Sequence, residues 1–452
     1  MNPRVFREYD IRGVADRDLP DDFARELGRA IGTHLVRSGA RRIALGRDCR
    51  VSSPRLHEAL LDGLLRTPLH VIDIGIVPTP VLYYAPFAWE LDGGIQLTGS
   101  HNPAPDNGFK VMKGRSTIHG AEIQHLRTLV ENQDYVSGAG SIESRDVVPE
   151  YLEHARGCLD LGARRPTVVL DAGNGVGGPV ALPLYRSLGF TTHALYCEPD
   201  GRFPNHHPDP TVAENVADLA RTLTETSSEV GIALDGDADR IGVVDARGRI
   251  VWGDQLMILF ARAILAESPG ATFVSEVKCS QKLYEEIERA GGRAVMWKVG
   301  HSLIKTKMKE LGAALAGEMS GHIFFAHRYL GFDDAIYAGA RLLELLSHGD
   351  QTLADLVDTL PVTVATPELR VEVPDDVKFE VVRRVTEKLR ALHEVIDLDG
   401  VRVKLDGGWG LVRASNTQAA LVMRFEADTA ARLAEIRTLV ETVVDEARVG
   451  LG

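Results

Sequence analysis

Basic residues are in deficit: 51 Lys and Arg face 64 Asp and Glu, leaving a net charge of −13. So acidic a chain argues against a broad nucleic-acid or anionic-membrane partner, but it leaves room for a small basic pocket around an anionic substrate. Cysteine is scarce. Cys49, Cys158, Cys197 and Cys279 are scattered with no C-x-x-C spacing, which argues against zinc and a disulfide framework and fits a reducing, cytoplasmic setting. No apolar run approaches the length of a membrane span. Residues 1–10 are charged and lack the apolar stretch of a signal peptide. What remains is ordinary globular material, 44% hydrophobic and 25% charged, and 452 residues are too many for one core.

Strand and helix patterns alternate through the first 145 residues. Residues 5–13 alternate apolar and polar and predict a strand ending at Arg12-Gly13. In 21–36, Phe23, Leu27, Ile31 and Leu35 fall at helical spacing; 42–48 reads as a buried strand ending in charge; 53–65 reads as a helix with Pro54 in its first turn. Such alternation predicts a mostly parallel sheet. A second α/β unit spans 146–249 and a third 250–362. From 363 to 452 the patterning changes to alternating strands and two helices, 376–392 and 428–447, which predicts an antiparallel sheet. Gly407-Gly408-Trp409-Gly410 predicts a flexible turn.

Four stretches carry chemistry. Thr98-Gly99-Ser100-His101-Asn102-Pro103 follows a short strand, where Gly99 would free the backbone to push Ser100 out of a turn at a ligand-holding strand end; alone, it is equally good turn chemistry. Downstream, Asn107-Gly108 predicts a tight hairpin turn with Lys110 just beyond it, and position alone favours a solvated surface lysine. Asp235-Gly236-Asp237-Ala238-Asp239-Arg240 sits between two strands. Three carboxylates at alternate positions repel one another unless a hard cation joins them, and oxygen-only ligands favour Mg²⁺ or Ca²⁺ over zinc. Three strands in succession then end in Lys278, in Gly300-His301, and in Glu318-Met319-Ser320-Gly321-His322, a convergence that suits a substrate site. Arg413-Ala414-Ser415-Asn416-Thr417 gathers a guanidinium, two hydroxyls and an amide, which suits a phosphate or a polar turn capped by Arg. Two further signals read as structure. The glycine-rich turn 172–178 fits neither a dinucleotide fingerprint nor a P-loop, and His206-His207 lies among prolines without thiolates.

In this order and spacing, residues 98–103, 235–240, 317–322 and 413–417 resemble the motifs of the α-D-phosphohexomutases, bacterial phosphomannomutase/phosphoglucomutase branch, across essentially the whole chain. The resemblance implies an α/β fold of three similar domains with mixed, mostly parallel sheets and a C-terminal α+β domain with an antiparallel sheet. It implies reversible transfer of phosphate between C6 and C1 of mannose or glucose, through a phosphoserine at Ser100 and a hexose 1,6-bisphosphate. Asp235, Asp237 and Asp239 would hold Mg²⁺ beside that group. Glu318, Ser320 and His322 would meet the sugar; Arg413, Ser415, Asn416 and Thr417 the distal phosphate; Tyr9, Arg12, His101, Lys110, Arg240, Lys278, Gly300 and His301 would line the site, with His301 and Lys110 as the acid/base pair. Phosphoglucosamine mutase is the alternative, and a sugar-phosphate phosphatase a more distant one. The partners implied are small sugar phosphates, with no nucleic acid or membrane, and the chain is expected to be a monomer. Ala238, Val299 and Ala419 stand where many relatives have Gly, Thr and Pro.

Overall fold

A computed structural model describes residues 2–415 and 419–451, so Asn416 and Thr417 lie outside the described residues. Three of its four sheets follow one plan. In the first, Gly93–Leu97, Arg42–Arg47, His70–Ile76 and Ser141–Ser144 run parallel, and Asp106–Lys113 returns antiparallel beside Gly93–Leu97. In the second, Val230–Leu234, Val168–Asp171 and Thr192–Leu195 are parallel, and Ile241–Asp245 returns antiparallel. In the third, Arg293–Trp297, Thr272–Glu276 and Leu315–Gly317 are parallel, and Ile323–Phe325 returns. Each plan thus has one loop where a parallel strand turns into its antiparallel return. Those three loops are 98–105, 235–240 and 318–322, so equivalent places in three sheets hold three of the four sequence motifs. The fourth sheet is antiparallel throughout, with Ala420–Ala427 central, and Lys378–Arg390 and Ala430–Arg448 packed on it.

Burial explains why these segments hold. In helix Asp21–Arg37, Leu27, Ile31 and Leu35 are 0% exposed at the spacing that stacks them on one face, and each contributes ~1.5–3 kcal/mol by leaving water. The largest apolar cluster runs from Ala44 on the first sheet through Ile232 on the second to Phe325 and Leu360 on the third. The first three sheets therefore share this cluster, while the other face of the first sheet keeps its own, with Leu27, Ile31, Leu35, Leu45 and Ile95. The fourth keeps its own, built on Val385, Val403, Phe425 and Val440, and touches the rest through Val277, Trp409 and Leu411. Among the described residues no helix is long and apolar enough to cross a membrane.

Three local expectations are corrected. Strand Ile11–Val14 begins where the sequence pattern placed a strand's end, because it pairs antiparallel with Asp106–Lys113. Asn107 and Gly108 lie inside that latter strand; the Asn107 amide is consumed by Ser52 Oγ and Ser53 Oγ, and the turn sits upstream, where Asp106 N donates to Pro103 O. Gly408, Trp409 and Gly410 are strand residues paired with Ala427, Glu426 and Phe425, which leaves the turn to 406–407.

Candidate active site

Ser100 is 2% exposed at the tip of the first loop, and its own φ is +49°. A left-handed residue with a side chain costs roughly 1–2 kcal/mol, so the strain sits on the nucleophile candidate and not on Gly99. Gly99 is required for a different reason. A Cβ there would lie 2.5 Å from Cζ of Arg50, whose fully buried guanidinium donates to the carbonyls of Ser100, Asn102, Pro103 and Asp106 and pairs with Asp48 at 3.2 Å. One buried arginine thus shapes the whole loop. The Ser100 hydroxyl donates to Asp235 Oδ2 at 2.8 Å and lies 3.2 Å from His101 Nδ1. Burial, then the charges of Arg240 and Arg12, push His101 well below the ordinary histidine value, so its ring is neutral.

The acidic loop reaches Ser100 because residue 236 is glycine; a Cβ there would meet the Ser100 carbonyl at 2.5 Å. Asp235, Asp237 and Asp239 are all 0% exposed, and their carboxylate oxygens converge within 4.8 Å. Asp235 Oδ1 accepts from the backbone of Asp239 and Arg240 at 3.0 and 3.1 Å. Lys110, which position alone would leave at the surface and the resemblance places in the site, is buried and bridges Asp237 at 2.8 Å and Asp239. Burial opposes its charge, but those two carboxylates more than offset it and hold Lys110 well above its ordinary value. One ammonium does not balance three carboxylates. Burial and the charges of Asp237 and Asp239 drive Asp235 well above the carboxylate range, and Asp237 Oδ1 and Asp239 Oδ1 have no hydrogen-bond partner among the described residues. An all-oxygen donor set with orphaned buried oxygens fits a hard divalent cation. Ala238 takes φ +59° in this loop, so the departure from Gly retains a strained residue at its centre.

The remaining candidates face a cleft of about 1160 Å³. Arg12 donates to Asn102 Oδ1 at 2.7 Å and pairs with Asp10 at 2.5 Å. Tyr9 donates to the Val299 carbonyl at 2.7 Å and meets the His301 ring edge-on. Gly300 N donates to Glu318 Oε1 at 2.7 Å, and Ser320 Oγ donates to the other oxygen at 3.4 Å. His301 and His322 stack at 5.5 Å between ring centres, and Arg240 Nε donates to His322 Nε2 at 3.0 Å. Burial and Lys305 push His301 well below its ordinary value. Lys278 pairs with Glu368 at 3.1 Å, and Arg413 with Asp399 at 3.0 Å; Ser415 adjoins Arg413 on the cleft wall. The cleft therefore carries both signs of charge, with Arg12, Lys278 and Arg413 each held by a carboxylate. Tyr9, Arg12, His101, Arg240, Lys278, Gly300, His301, Glu318, Ser320, His322, Arg413 and Ser415 line this cleft, while Ser100, Lys110 and the three aspartates are buried beside it, next to His101 and Arg240.

The sequence did not single out Arg50, Thr79, Asp333, Glu368 or Asp399. Thr79 Oγ1 donates to Asp237 at 2.5 Å and Asp399 accepts from Val299 N at 3.1 Å. Each acts on a residue far along the chain, so no local spacing marks it. Asp333-Asp334, an acidic pair in an apolar setting, was the one visible sign.

Four family profiles match in order. The alpha/beta/alpha domains I, II and III of phosphoglucomutase/phosphomannomutase match residues 3–136, 149–248 and 252–363, and the C-terminal domain matches 368–443. The chain is 46% identical over 437 residues to a phosphomannomutase/phosphoglucomutase of Pseudomonas aeruginosa, covering 96% of this chain and 94% of that one. It is 44% identical over 447 residues to a phosphoglucomutase of Neisseria gonorrhoeae, covering 98% and 96%. A crystal structure of a phosphoglucomutase/phosphomannomutase family protein from Burkholderia thailandensis superposes with a TM-score of 0.93 at 42% identity, covering 100% and 99%. The chain belongs to the phosphoglucomutase/phosphomannomutase family of α-D-phosphohexomutases.

Proposed function

We propose that this chain moves phosphate between C6 and C1 of mannose and glucose through a phosphorylated Ser100 and a hexose 1,6-bisphosphate. The observation that carries the reading is the Ser100 hydroxyl, buried and bonded to Asp235 at 2.8 Å, next to His101 at the edge of a cleft lined by Arg12, Arg240, Lys278 and Arg413. Phosphoserine gives its phosphoryl group to the free O1 or O6 of a bound sugar monophosphate, and the hydroxyl loses its proton as the new ester forms. The resulting bisphosphate turns end over end and returns the other phosphate to Ser100. Mg²⁺, held by Asp235, Asp237 and Asp239, supplies positive charge beside the phosphoryl oxygens when bound. Lys110, kept as an ammonium by Asp237 and Asp239, serves as a fixed cation rather than a base. That leaves proton transfer to the imidazoles of His301 and His322. Arg413 and Ser415, with Asn416 and Thr417, would hold the distal phosphate in either orientation. Glu318 and Ser320 would read O3 and O4, which exchange places when the ring flips. A buried Ser100 supports transfer to a sugar over hydrolysis.

Turnover of mannose, glucose and glucosamine 1-phosphates with a 1,6-bisphosphate activator tests this. The mannose and glucose substrates should be used within about tenfold of each other, because one unread hydroxyl at C2 shifts the barrier by no more than about 1.4 kcal/mol. A strong preference for the glucosamine sugar, or net release of inorganic phosphate, would overturn the proposal.

A further inference from the structure

We propose that Asp333 is a positioning residue for this reaction: its carboxylate fixes the ring orientation and tautomer of His322. The inference rests on the mutase reading for its catalytic consequence, but not for its geometry. Asp333 is 0% exposed on the segment after strand Ile323–Phe325, where it forms a bridge with Phe324. It does not line the cleft, whereas His322 does. Its two oxygens divide their duties. Oδ1 binds Lys305 Nζ at 2.9 Å, and Oδ2 lies 3.2 Å from His322 Nδ1.

The tautomer follows from the partners. Arg240 Nε is a donor in every state, so His322 Nε2, 3.0 Å away, must accept. A neutral ring then carries its hydrogen on Nδ1. The groups facing Nδ1 are carboxylate oxygens, Asp333 Oδ2 at 3.2 Å and Asp239 Oδ1 at 3.6 Å. The first is the only one near hydrogen-bond length. Stacking against His301 and Phe324 holds the plane of the ring, and Asp333 sets its rotation within that plane. Lys305 offsets the carboxylate's charge, without which a buried Asp beside the acidic loop would be costly. His301 Nδ1 lies farther from Asp333 Oδ2, at 3.5 Å; none of these three atoms has another hydrogen-bond partner among the described residues, and the shorter separation favours the His322 ring. The result is an imidazole whose Nε2 lone pair faces Arg240 and must exchange that hydrogen bond for a proton when the ring works as a base. This is the service a buried carboxylate gives a histidine whose other nitrogen works.

The experiment is a double-mutant cycle joined to nitrogen NMR of the imidazoles, on the full chain. Asp333→Asn should lower kcat by ~10²-fold, the scale of one misplaced acid/base group, with KM little changed. In a His322→Gln background the same change should cost nothing further, because the group it serves is gone. A purely structural role would lower both backgrounds alike. The NMR resonance lost in His322→Gln identifies this ring. In the wild type it should show a protonated Nδ1 and a bare Nε2, and Asp333→Asn should shift it toward the opposite tautomer. Should Asp333→Asn not fold, Asp333→Asn with Lys305→Gln removes both charges of the pair and takes its place. Losses that multiply, a wild-type ring protonated on Nε2, or a loss that vanishes only in a His301→Gln background would each overturn the proposal. If the wild type fails to interconvert hexose phosphates, the mutase reading fails, while the spectra still decide the role of Asp333.

Discussion

Asp237 shows how much of the site depends on single atoms. Its Oδ2 accepts from Thr79 and Lys110, and its Oδ1 has no hydrogen-bond partner among the described residues. Asp237→Asn removes one of three converging negative charges, so the Mg²⁺ concentration for half-maximal turnover should rise by about 10–100-fold, the scale of a disturbed metal shell. An unchanged titration would move the metal elsewhere. Glu318→Ala should harm mannose and glucose phosphates about equally, since the hydroxyls it would read are common to both. Loss of one with sparing of the other would mean that Glu318 reads C2. At this scale the sequence was half legible. Ser100, Glu318 and the aspartates each sit in a short motif whose chemistry needs its neighbours. Lys110 sits in none, and only the family resemblance marked it. Its partners lie 127 and 129 positions away, and burial against them holds it off the surface that its position alone suggested.

Loops between a parallel strand and its antiparallel return carry three of the four sequence motifs. They were legible because a strand pattern precedes each motif. Asn107-Gly108 and residues 408–410 were misread because pairing with distant strands overrode local turn chemistry. The loop 203–210 is a subtler element. Pro208 packs beneath Gly173 and Gly236, and His206 Nε2 meets the buried Asp171 at 3.0 Å, so this loop buttresses the acidic one. Burial lowers the His206 value, but the hydrogen bond and charge of Asp171 more than offset it and raise it above 6.5. A raised histidine contributes stability that is fully present below its unfolded value, about 6.5, and is lost as pH climbs through the folded one. The melting temperature of His206→Asn should therefore fall furthest below wild type near pH 6, with the gap narrowing toward pH 9. A gap that widens with pH would contradict the pairing.

Across the whole molecule, one shared cluster joins three sheets, the first sheet keeps a second core on its other face, and a separate core serves the fourth. The sequence showed this only as a change of strand pattern near Pro361, because shared burial between domains leaves no periodicity. The two parts meet where Arg402, stacked 3.7 Å over Trp409, donates to the carbonyls of Val277 and Cys279. Ending the chain at residue 362 removes Arg413 and Ser415 but little of the main core. The remainder should stay folded and still accept phosphate on Ser100, with turnover reduced at least ~10²-fold through lost positioning of the substrate. An insoluble product would show that the fourth domain belongs to the core.

The covalent role proposed for Ser100 is the center on which these expectations turn, and the most direct measurement maps phosphate after incubation with labelled glucose 1,6-bisphosphate. The account predicts one labelled peptide in the wild type, carrying Ser100. It predicts no label and almost no turnover in Ser100→Ala. Label on another residue, or a Ser100→Ala chain that still interconverts hexose phosphates at the wild-type rate, would contradict it.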